Sequence, residues 1–264
     1  MFNKFTFQEI VTQAENLGIP PDEKRAILRE YLQCRFLGIL FSLKNSHKFI
    51  FIGGTCLRLL HNLDRFSEDL DFDNRGLTAK QIKQLVEKTI KQLEKEGFKI
   101  ELSFKNLKTA GSFKIKFLKT LFEAGITTNA REKLMIKFDY ARRKIKPATS
   151  VFLLSRFGVV QRIPSYPLET LLSYKVRAIK TRKRALVRDF YDVAWALSRN
   201  IKPNLEILKI KSEKSFYEQL KKSFSKRIKP RLSAHKKTLR RFLINEEKIR
   251  LIDLFEDLVD SKLA

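Results

Sequence analysis

Hydrophobic and polar residues recur along this chain with two different periods, and the change from one period to the other marks the predicted elements. Thr6 and Glu9 form a capping-box pattern ahead of a helix that ends at Gly18, and a longer helical pattern starts after the two prolines at 20 and 21. A short β-rich run at 49–52 ends in two glycines, helical spacing follows over 55–63, and residues 69–73 alternate as a strand does. This part predicts a helical pair followed by strand, glycine turn, helix and strand.

The remainder divides into a strand-rich part and a helix-rich part. An amphipathic pattern over 78–96, ended by Gly97, predicts a helix, and alternating runs at 98–104, 112–118 and 133–140 predict three strands. Beyond Pro167 the spacing is helical, with helices predicted at 167–182, at 186–199 and at least twice more within 204–262. The pattern predicts an α+β fold, with a mixed sheet and helices in domain 1–164 and a mostly α-helical domain in 165–264.

The composition is typical of a globular protein apart from a strong excess of positive charge. The 264 residues are 43% apolar, which excludes collagen-like and wholly disordered chains. Lys and Arg number 55 against 29 acids, a net charge of +26 that indicates a polyanionic partner such as nucleic acid, an anionic membrane surface or a ribosome. The excess is concentrated, because residues 141–188 hold 13 basic residues against Glu169 alone and residues 221–241 hold 10 against none.

The cysteines and the apolar runs of the sequence do not indicate a secreted or membrane-inserted protein. Cys34 and Cys56 alone cannot build a disulfide framework or a zinc site. The N-terminus has no apolar signal region, and the longest apolar run, Phe36–Leu43, is less than half of a membrane span. We therefore expect a cytoplasmic protein without a membrane partner.

The candidate chemistry lies around residues 51–73. On a strand, Asp69 and Asp71 project from the same face about 6.6 Å apart, while Leu70 and Phe72 point into the core. Two carboxylates that share a site repel each other unless cations lie between them, and divalent metals about 3.5–4 Å apart would serve a phosphoryl displacement. Mg²⁺ suits such oxygen ligands. The preceding Gly53-Gly54-Thr55 turn offers backbone amides and a hydroxyl to phosphate oxygens.

Each of these features alone is more often structural, but their combination is informative. The glycine turn, the helix and the run after it resemble the first motif of DNA polymerase β-like nucleotidyltransferases. The sequence of that run is similar to the corresponding motif of the AbiEii/AbiGii toxin family, which includes MenT-like enzymes. The run is Arg65-Phe66-Ser67-Glu68-Asp69-Leu70-Asp71. The resemblance implies that Arg58, Ser67 and Lys137 also bind the nucleotide.

Three further motifs of that family follow in order. Lys137-Phe138-Asp139 matches the Lys-x-Asp strand, and the resemblance makes Asp139 the third acid at the metals. Lys175 matches a lysine at the nucleotide phosphates, although on its own it is a lysine snorkelling at the edge of an apolar stripe. The fourth match, Arg188-Asp189-Phe190-Tyr191-Asp192, implies a catalytic role for Asp189 and a secondary one for Asp192. From spacing alone, Arg188 and Asp192 would form a surface pair.

The resemblance implies a Mg²⁺-dependent nucleotidyltransferase, with Mn²⁺ as the alternative metal and an NTP as co-substrate. Asp69, Asp71 and Asp139 would hold the metals, and pyrophosphate would leave. It also implies the toxin of an abortive-infection or toxin–antitoxin pair with a cognate antitoxin, and the basic runs favour RNA, in particular the tRNA 3′ end, as acceptor. Two alternatives stay open: transfer to a protein or small molecule, and a non-catalytic RNA-binding module.

Overall fold

The computed structural model describes residues 6–107 and 109–263, which form two compact units. The first unit comprises the described residues up to His61 together with Ser67–Ser165, and the second comprises Asn62–Phe66 and the described residues from Tyr166 onward. The chain thus leaves the first unit after Ser165, one residue beyond the boundary expected from the sequence. The sequence did not predict that the short segment 62–66 belongs with the C-terminal helices.

The first unit is built on a seven-stranded mixed sheet with the strand order β3-β4-β5-β2-β1-β7-β6. Its strands are β1 (Phe49–Ile52), β2 (Leu70–Asn74), β3 (Lys99–Asn106), β4 (Ala110–Leu118), β5 (Leu134–Ala141), β6 (Ser150–Arg156) and β7 (Val159–Ser165). Its helices are α1 (Phe7–Asn16), α2 (Lys24–Ser42), α3 (Gly53–His61), α4 (Ala79–Lys95) and the short α5 (Thr120–Glu123), with a 3-10 turn at Ser46–Lys48. The mixed sheet with helices confirms the predicted fold class.

Apolar alternation places one face of this sheet in the core. Phe49, Phe51, Phe72 and Phe138 are at most 2% exposed, and the rings of Phe72 and Phe138 stack with centroids 4.5 Å apart. Fully burying a phenylalanine contributes about 1.5–3 kcal/mol, so this aromatic row is a main source of stability for the central strands. It also fixes the register, since a slip of one residue would turn these rings to the opposite face.

Two local differences from the predicted elements bear on the site. Helix α3 begins at Gly53, so the two glycines form its first turn and do not precede it. Strands β6 and β7 form an antiparallel hairpin that the sequence reading missed. In β6, side chains on both faces are apolar, so the sequence lacks the alternation of apolar and polar residues that indicates a half-buried strand.

The second unit is helical, as predicted for the C-terminal part. It contains α6 (Leu168–Thr181), α7 (Val187–Leu197), α8 (Leu205–Leu208), α9 (Glu213–Arg227), α10 (Leu232–Arg240), α11 (Arg250–Asp253) and α12 (Phe255–Asp260), with 3-10 turns at Lys229–Arg231 and Glu246–Ile249. Phe190, Phe224 and Phe255 form its aromatic core, with the last two rings stacked 4.4 Å apart. Within the described ranges no helix has the length and apolar character needed to cross a bilayer.

The segment 62–66 is held in the second unit by backbone hydrogen bonds. The amide of Phe66 donates to the carbonyl of Phe242 at 2.7 Å, and the amide of Ile244 donates to the carbonyl of Asp64 at 3.2 Å. Arg65 forms the β-bridge between these bonds, opposite Leu243. The segment therefore behaves as a short strand of the second unit, although it lies between two elements of the first.

Candidate active site

The first unit brings two of the predicted carboxylates onto neighbouring strands. Asp71 on β2 and Asp139 on β5 are register partners across a parallel pair, about 4.8 Å apart by strand spacing, so both project from the face opposite the aromatic core. Asp69 immediately precedes β2 and is exposed, whereas Asp71 and Asp139 are half-buried. The spacing argument placed Asp69 on the strand itself, and the structure places it one residue before the strand begins.

One ammonium group faces all three of these carboxylates. Lys137 Nζ lies 2.5 Å from Asp139 Oδ2 on the same face of β5. The hydrogen bond to Asp139 raises the pKa of Lys137, and the negative charges of Asp69 and Asp71 raise it further. Lys137 is therefore within electrostatic range of all three acids, and its ammonium group stays protonated beside them.

Gly53 and Thr55 fix the backbone beside these acids. Gly53 has a φ of +85°, and a Cβ there would lie 2.3 Å from Asp71 Oδ2, so only glycine allows this close approach. The Thr55 hydroxyl is buried and donates to the Asp69 carbonyl. That hydroxyl thus positions the acidic segment, and the phosphate contact expected of Thr55 does not fit its burial. Gly54 is buried beside it.

A cavity of about 360 Å³ opens onto the acids. It is lined by Asp71, Asp139 and Lys137 together with Lys105, Arg143 and Tyr140, among others. Its size falls within the usual range of about 300–1,000 Å³ for small-molecule sites. Two carboxylates and three basic side chains in one cavity suit a ligand that carries both phosphate groups and metal ions.

The donor set can be tested against a divalent cation. Across residues 6–107 and 109–263, no three histidine, cysteine, aspartate or glutamate side chains form a complete metal cage. Magnesium seldom uses such cages, because it keeps several waters and takes one or two carboxylates plus the phosphates of its substrate. The facing carboxylates of Asp71 and Asp139 fit that mode of binding.

Arg58 is occupied by an interior ion pair, whereas the nucleotide contact expected of Ser67 stays a prediction. The Arg58 side chain is 6% exposed and pairs with buried Glu30 on α2, with Nε 2.9 Å from Oε2, and Arg156 contacts the same carboxylate at 3.1 Å. Arg58 is therefore an interior ion pair that joins α3 to α2. Ser67 is half-buried, and its carbonyl accepts a hydrogen bond from Gln33. The expected nucleotide contact of Arg58 is corrected to this structural role.

The second unit brings Lys175 and Asp189 together with Asp192. Lys175 Nζ lies 2.7 Å from Asp192 Oδ2 and 3.2 Å from Asp189 Oδ1. Arg182 contacts Asp189 from the other side at 2.7 Å. The lysine is therefore not a snorkelling surface residue, since only 14% of its side chain is exposed and two carboxylates hold it.

Asp192 is the centre of this cluster, and Arg65 is a member that the sequence reading did not assign. Arg65 Nε and Nη2 donate to the two Asp192 oxygens at 2.6 and 2.7 Å, and both side chains are at most 2% exposed. Burial raises the pKa of Asp192, but the charges and hydrogen bonds of Arg65 and Lys175 outweigh it and hold this pKa below its ordinary value. Asp192 is 1% exposed and is held by Arg65 and Lys175, so it is not the surface residue that spacing alone suggested, and the Arg188 guanidinium lies over the Phe242 ring.

The two basic runs meet in the second unit. Arg227 donates to the Arg182 carbonyl at 2.6 Å, which ties the loop after α6 to the end of α9. Burial lowers the pKa of His235, and the positive charges of Arg231 and Arg184 lower it further, so these cations lie close together. An open depression of about 770 Å³ is lined by Arg231 and three other cations, at 229, 237 and 240.

Part of the charge in 221–241 is neutralised by acids outside that run. The ion pairs are Lys221–Asp260 at 2.7 Å, Lys229–Glu256 at 2.6 Å and Lys236–Asp253 at 2.7 Å. Six other basic residues of the run are exposed without an ion pair to any described residue, namely Lys222, Lys226, Arg231, Lys237, Arg240 and Arg241. The positive surface therefore persists on α9 and α10, with fewer available charges than the sequence count indicates.

The comparisons with known proteins agree with this fold. The family model described as "Nucleotidyl transferase AbiEii toxin, Type IV TA system" matches residues 35–260. The chain is similar to a crystal structure of a candidate nucleotidyltransferase from H. pylori, with 19% identity, a TM-score of 0.60, and coverage of 90% of this chain and 96% of that one. It is also similar to JHP933 from Helicobacter pylori, with 17% identity, a TM-score of 0.53, and coverage of 90% and 93%. At these identities the structural likeness shows the fold alone. A search of the curated proteins found no match.

Proposed function

The chain belongs to the AbiEii nucleotidyl transferase toxin family of type IV toxin–antitoxin systems, and from this premise we propose that it transfers a nucleoside monophosphate from an NTP to RNA. The observation that carries the proposal is the acidic site of the first unit, where Asp71 and Asp139 stand side by side on β2 and β5. A cognate antitoxin is the expected regulatory partner.

The site residues have separable tasks in this proposal. Asp71 and Asp139, with Asp69 beside them, would hold Mg²⁺ or Mn²⁺. The metal, when bound, neutralises the charge of the triphosphate and of the leaving pyrophosphate. Lys137 keeps its proton, because Asp139 hydrogen-bonds it, and adds a fixed positive charge at the same point. Gly53 keeps the backbone close to Asp71 and so fixes the direction of that carboxylate.

The proposed reaction is a displacement at the α-phosphorus of the NTP. The acceptor hydroxyl oxygen forms a bond to the α-phosphorus. The bond between the α-phosphorus and the oxygen that bridges it to the β-phosphorus breaks, and pyrophosphate leaves. The hydroxyl proton passes to a carboxylate of the site and then to water. Catalysis of this kind depends on positioning and charge neutralisation, which are what paired carboxylates on rigid central strands supply.

RNA is favoured as the acceptor by the basic surface of the second unit. Exposed lysines and arginines on α9 and α10 can track a phosphate backbone without reading bases, and a small acceptor would not need them. The tRNA 3′ end is the specific acceptor proposed. Lys175 and Asp189 are the second unit's proposed catalytic residues, and the same assay tests them.

The first experiment incubates the purified chain with total tRNA, Mg²⁺ and each α-labelled NTP in turn, followed by a denaturing gel. Label on tRNA from one or two NTPs is expected, and Asp71→Asn and Asp139→Asn should abolish it. Glu94→Gln, which removes one exposed charge from α4, is the matched control and should retain full labelling. NTP turnover without labelled RNA would favour a protein or small-molecule acceptor, and the absence of NTP binding would favour a non-catalytic RNA-binding module.

Growth inhibition provides an independent test in cells. Expression of the chain should arrest growth, and Asp69→Ala and Lys175→Ala should each relieve the arrest at equal protein level. Toxicity that persists in both variants would contradict the catalytic proposal. Loss of toxicity in both, with unchanged RNA binding, would separate catalysis from binding.

A further inference from the structure

The two edge strands of the sheet differ in how they are protected. An exposed edge offers unpaired backbone groups, and proteins usually block it with charges or proline. At one edge, β3 carries Lys99, Glu101 and Lys105, and Glu101 forms ion pairs with two lysines. At the other edge, β6 has no lysine, acid or proline, and its one charge, Arg156, is buried against Glu30.

The outward face of the β6–β7 hairpin carries three exposed apolar side chains. Val151 and Leu153 on β6 are 64% and 61% exposed, and Val160 on β7 is 70% exposed. Val151 and Leu153 alternate along the strand, and Val160 is the register partner of Ser155 on that same face. Among the described residues, β6 pairs with β7 alone. A strand with a free edge and alternating exposed apolar side chains is suited to pairing with an additional strand.

This apolar face is the face of the sheet that carries the proposed acidic site. Asp71 pairs with Ile52 on β1, and Phe51 next to it pairs with Ser165 on β7. Because side chains alternate along each strand, Ile52 and Leu153 lie on the same side as Asp71. A strand bound at β6 would therefore present one row of its side chains on the side of the carboxylates.

The charge around the hairpin restricts the chemistry of a partner. The chain has no acidic residue from 140 to 168. Lys144 and Lys146 lie in the loop before β6, Arg162 pairs with Leu153 across the hairpin, and all three are exposed without an ion pair to any described residue. A second copy of this chain would bring the same positive charges together, so self-pairing at this edge is disfavoured.

We propose that β6 is a docking edge for an extended acidic segment of a partner protein, which adds as an eighth strand. Backbone hydrogen bonds to β6 would supply affinity. Apolar side chains of the segment would cover Val151 and Leu153, and its carboxylates would be attracted by the lysines of the loop before β6, Lys144 and Lys146. The inference is independent of the nucleotidyl transfer proposed above, because it uses no residue of the acidic site.

The test uses a synthetic peptide of alternating valine and glutamate with blocked ends, seven residues long to match β6. Backbone hydrogen exchange of the full chain is measured with and without this probe and with a valine–lysine peptide. The valine–glutamate peptide should slow exchange of β6 amides, and the valine–lysine peptide should not. Leu153→Glu should weaken the binding about tenfold or more, since it puts a negative charge against the valines and near the carboxylates of the peptide. Phe122→Glu is the matched control, because Phe122 is 47% exposed on α5.

Several outcomes would overturn the proposal. Equal protection by both peptides would mean that charge plays no part, and protection at β3 would mean that the charged edge is the binding edge. Dimerisation through β6 without peptide would assign the edge to a second copy. Retained peptide binding by Leu153→Glu, or equal loss in Phe122→Glu, would mean that the apolar face does not contribute to binding.

Discussion

Replacing Asp192 with asparagine should destabilise the second unit strongly, because this carboxylate is the centre of a buried charge cluster. It accepts two hydrogen bonds from Arg65 and one from Lys175, all within 2.7 Å. Asparagine keeps the volume but removes the negative charge. Lys175 would keep Asp189 at 3.2 Å, whereas Arg65, which is 2% exposed, would lose the carboxylate that it binds. Breaking a buried pair in this way costs about 3–5 kcal/mol.

Removing the arginine of this pair should destabilise the unit less than removing the carboxylate. In Arg65→Met, Asp192 keeps Lys175 at 2.7 Å, so the lost charged hydrogen bonds should cost about 2 kcal/mol. The double variant Arg65→Met/Asp192→Leu replaces the pair by apolar groups and should be more stable than Asp192→Asn alone. Glu213→Gln, which removes an exposed pair with Lys202, is the control and should change stability by less than about 1 kcal/mol.

Urea unfolding followed by tryptophan fluorescence measures this unit specifically, because the chain has one tryptophan, Trp195 on α7, and it is 1% exposed. The pKa of Asp192 lies below its ordinary value of 3.8 in the folded chain. Its stabilisation is therefore present above pH 3.8 and is lost as pH falls through the folded pKa. The difference between the parent chain and Asp192→Asn should shrink over that acid range. A loss below about 1 kcal/mol at neutral pH, or a double variant no more stable than Asp192→Asn, would refute the reasoning.

The remaining predictions concern the other sites. Gly53→Ala should abolish nucleotidyl transfer, because its Cβ would displace Asp71, whereas Gly18→Ala, whose Cβ meets nothing within 4 Å, should keep activity; equal loss in both would indicate misfolding. Burial raises the pKa of the Cys34 thiol, so it should react with a disulfide reagent at pH 8 only as fast as the chain unfolds; fast labelling would contradict its burial. Asp260→Asn should release Lys221 from its ion pair. The slope of log affinity for RNA against log salt concentration should then become steeper by the equivalent of about one phosphate contact; an unchanged slope would place α9 outside the RNA surface.

The features that the sequence predicted well are those governed by local periodicity. Strand β1 has the predicted bounds, and the capping box of Thr6 and Glu9 is formed on both sides. The alternation around Lys137 and Asp139 placed both residues on one face of β5, as the structure shows. Local hydrogen bonds and side-chain direction decide these features, so a short window of sequence contains the necessary information.

The features that the sequence did not predict depend on distant residues or on an unusual surface. The hairpin β6–β7 was missed because Val151 and Leu153 face outward, which removes the polar positions that mark a half-buried strand. Arg58 was assigned to the nucleotide from the resemblance, and its actual partner Glu30 lies 28 residues earlier in the chain. A window that contains only one member of an ion pair cannot distinguish an interior arginine from one that binds phosphate.

The pair of Arg65 and Asp192 combines a local sequence signal with a long-range contact. Both residues lie within the motifs quoted above, and they are 127 residues apart in the chain. Arg65 stands four residues before Asp69 in the printed sequence, and its segment is clamped in the second unit by backbone bonds to Phe242 and Ile244. A buried ion pair is weak evidence of stabilisation, since apolar groups of similar volume often do as well. The effect of the charge is therefore positional: the Asp192 carboxylate holds Arg65 and Lys175 at once, and this anchors segment 62–66 within the second unit.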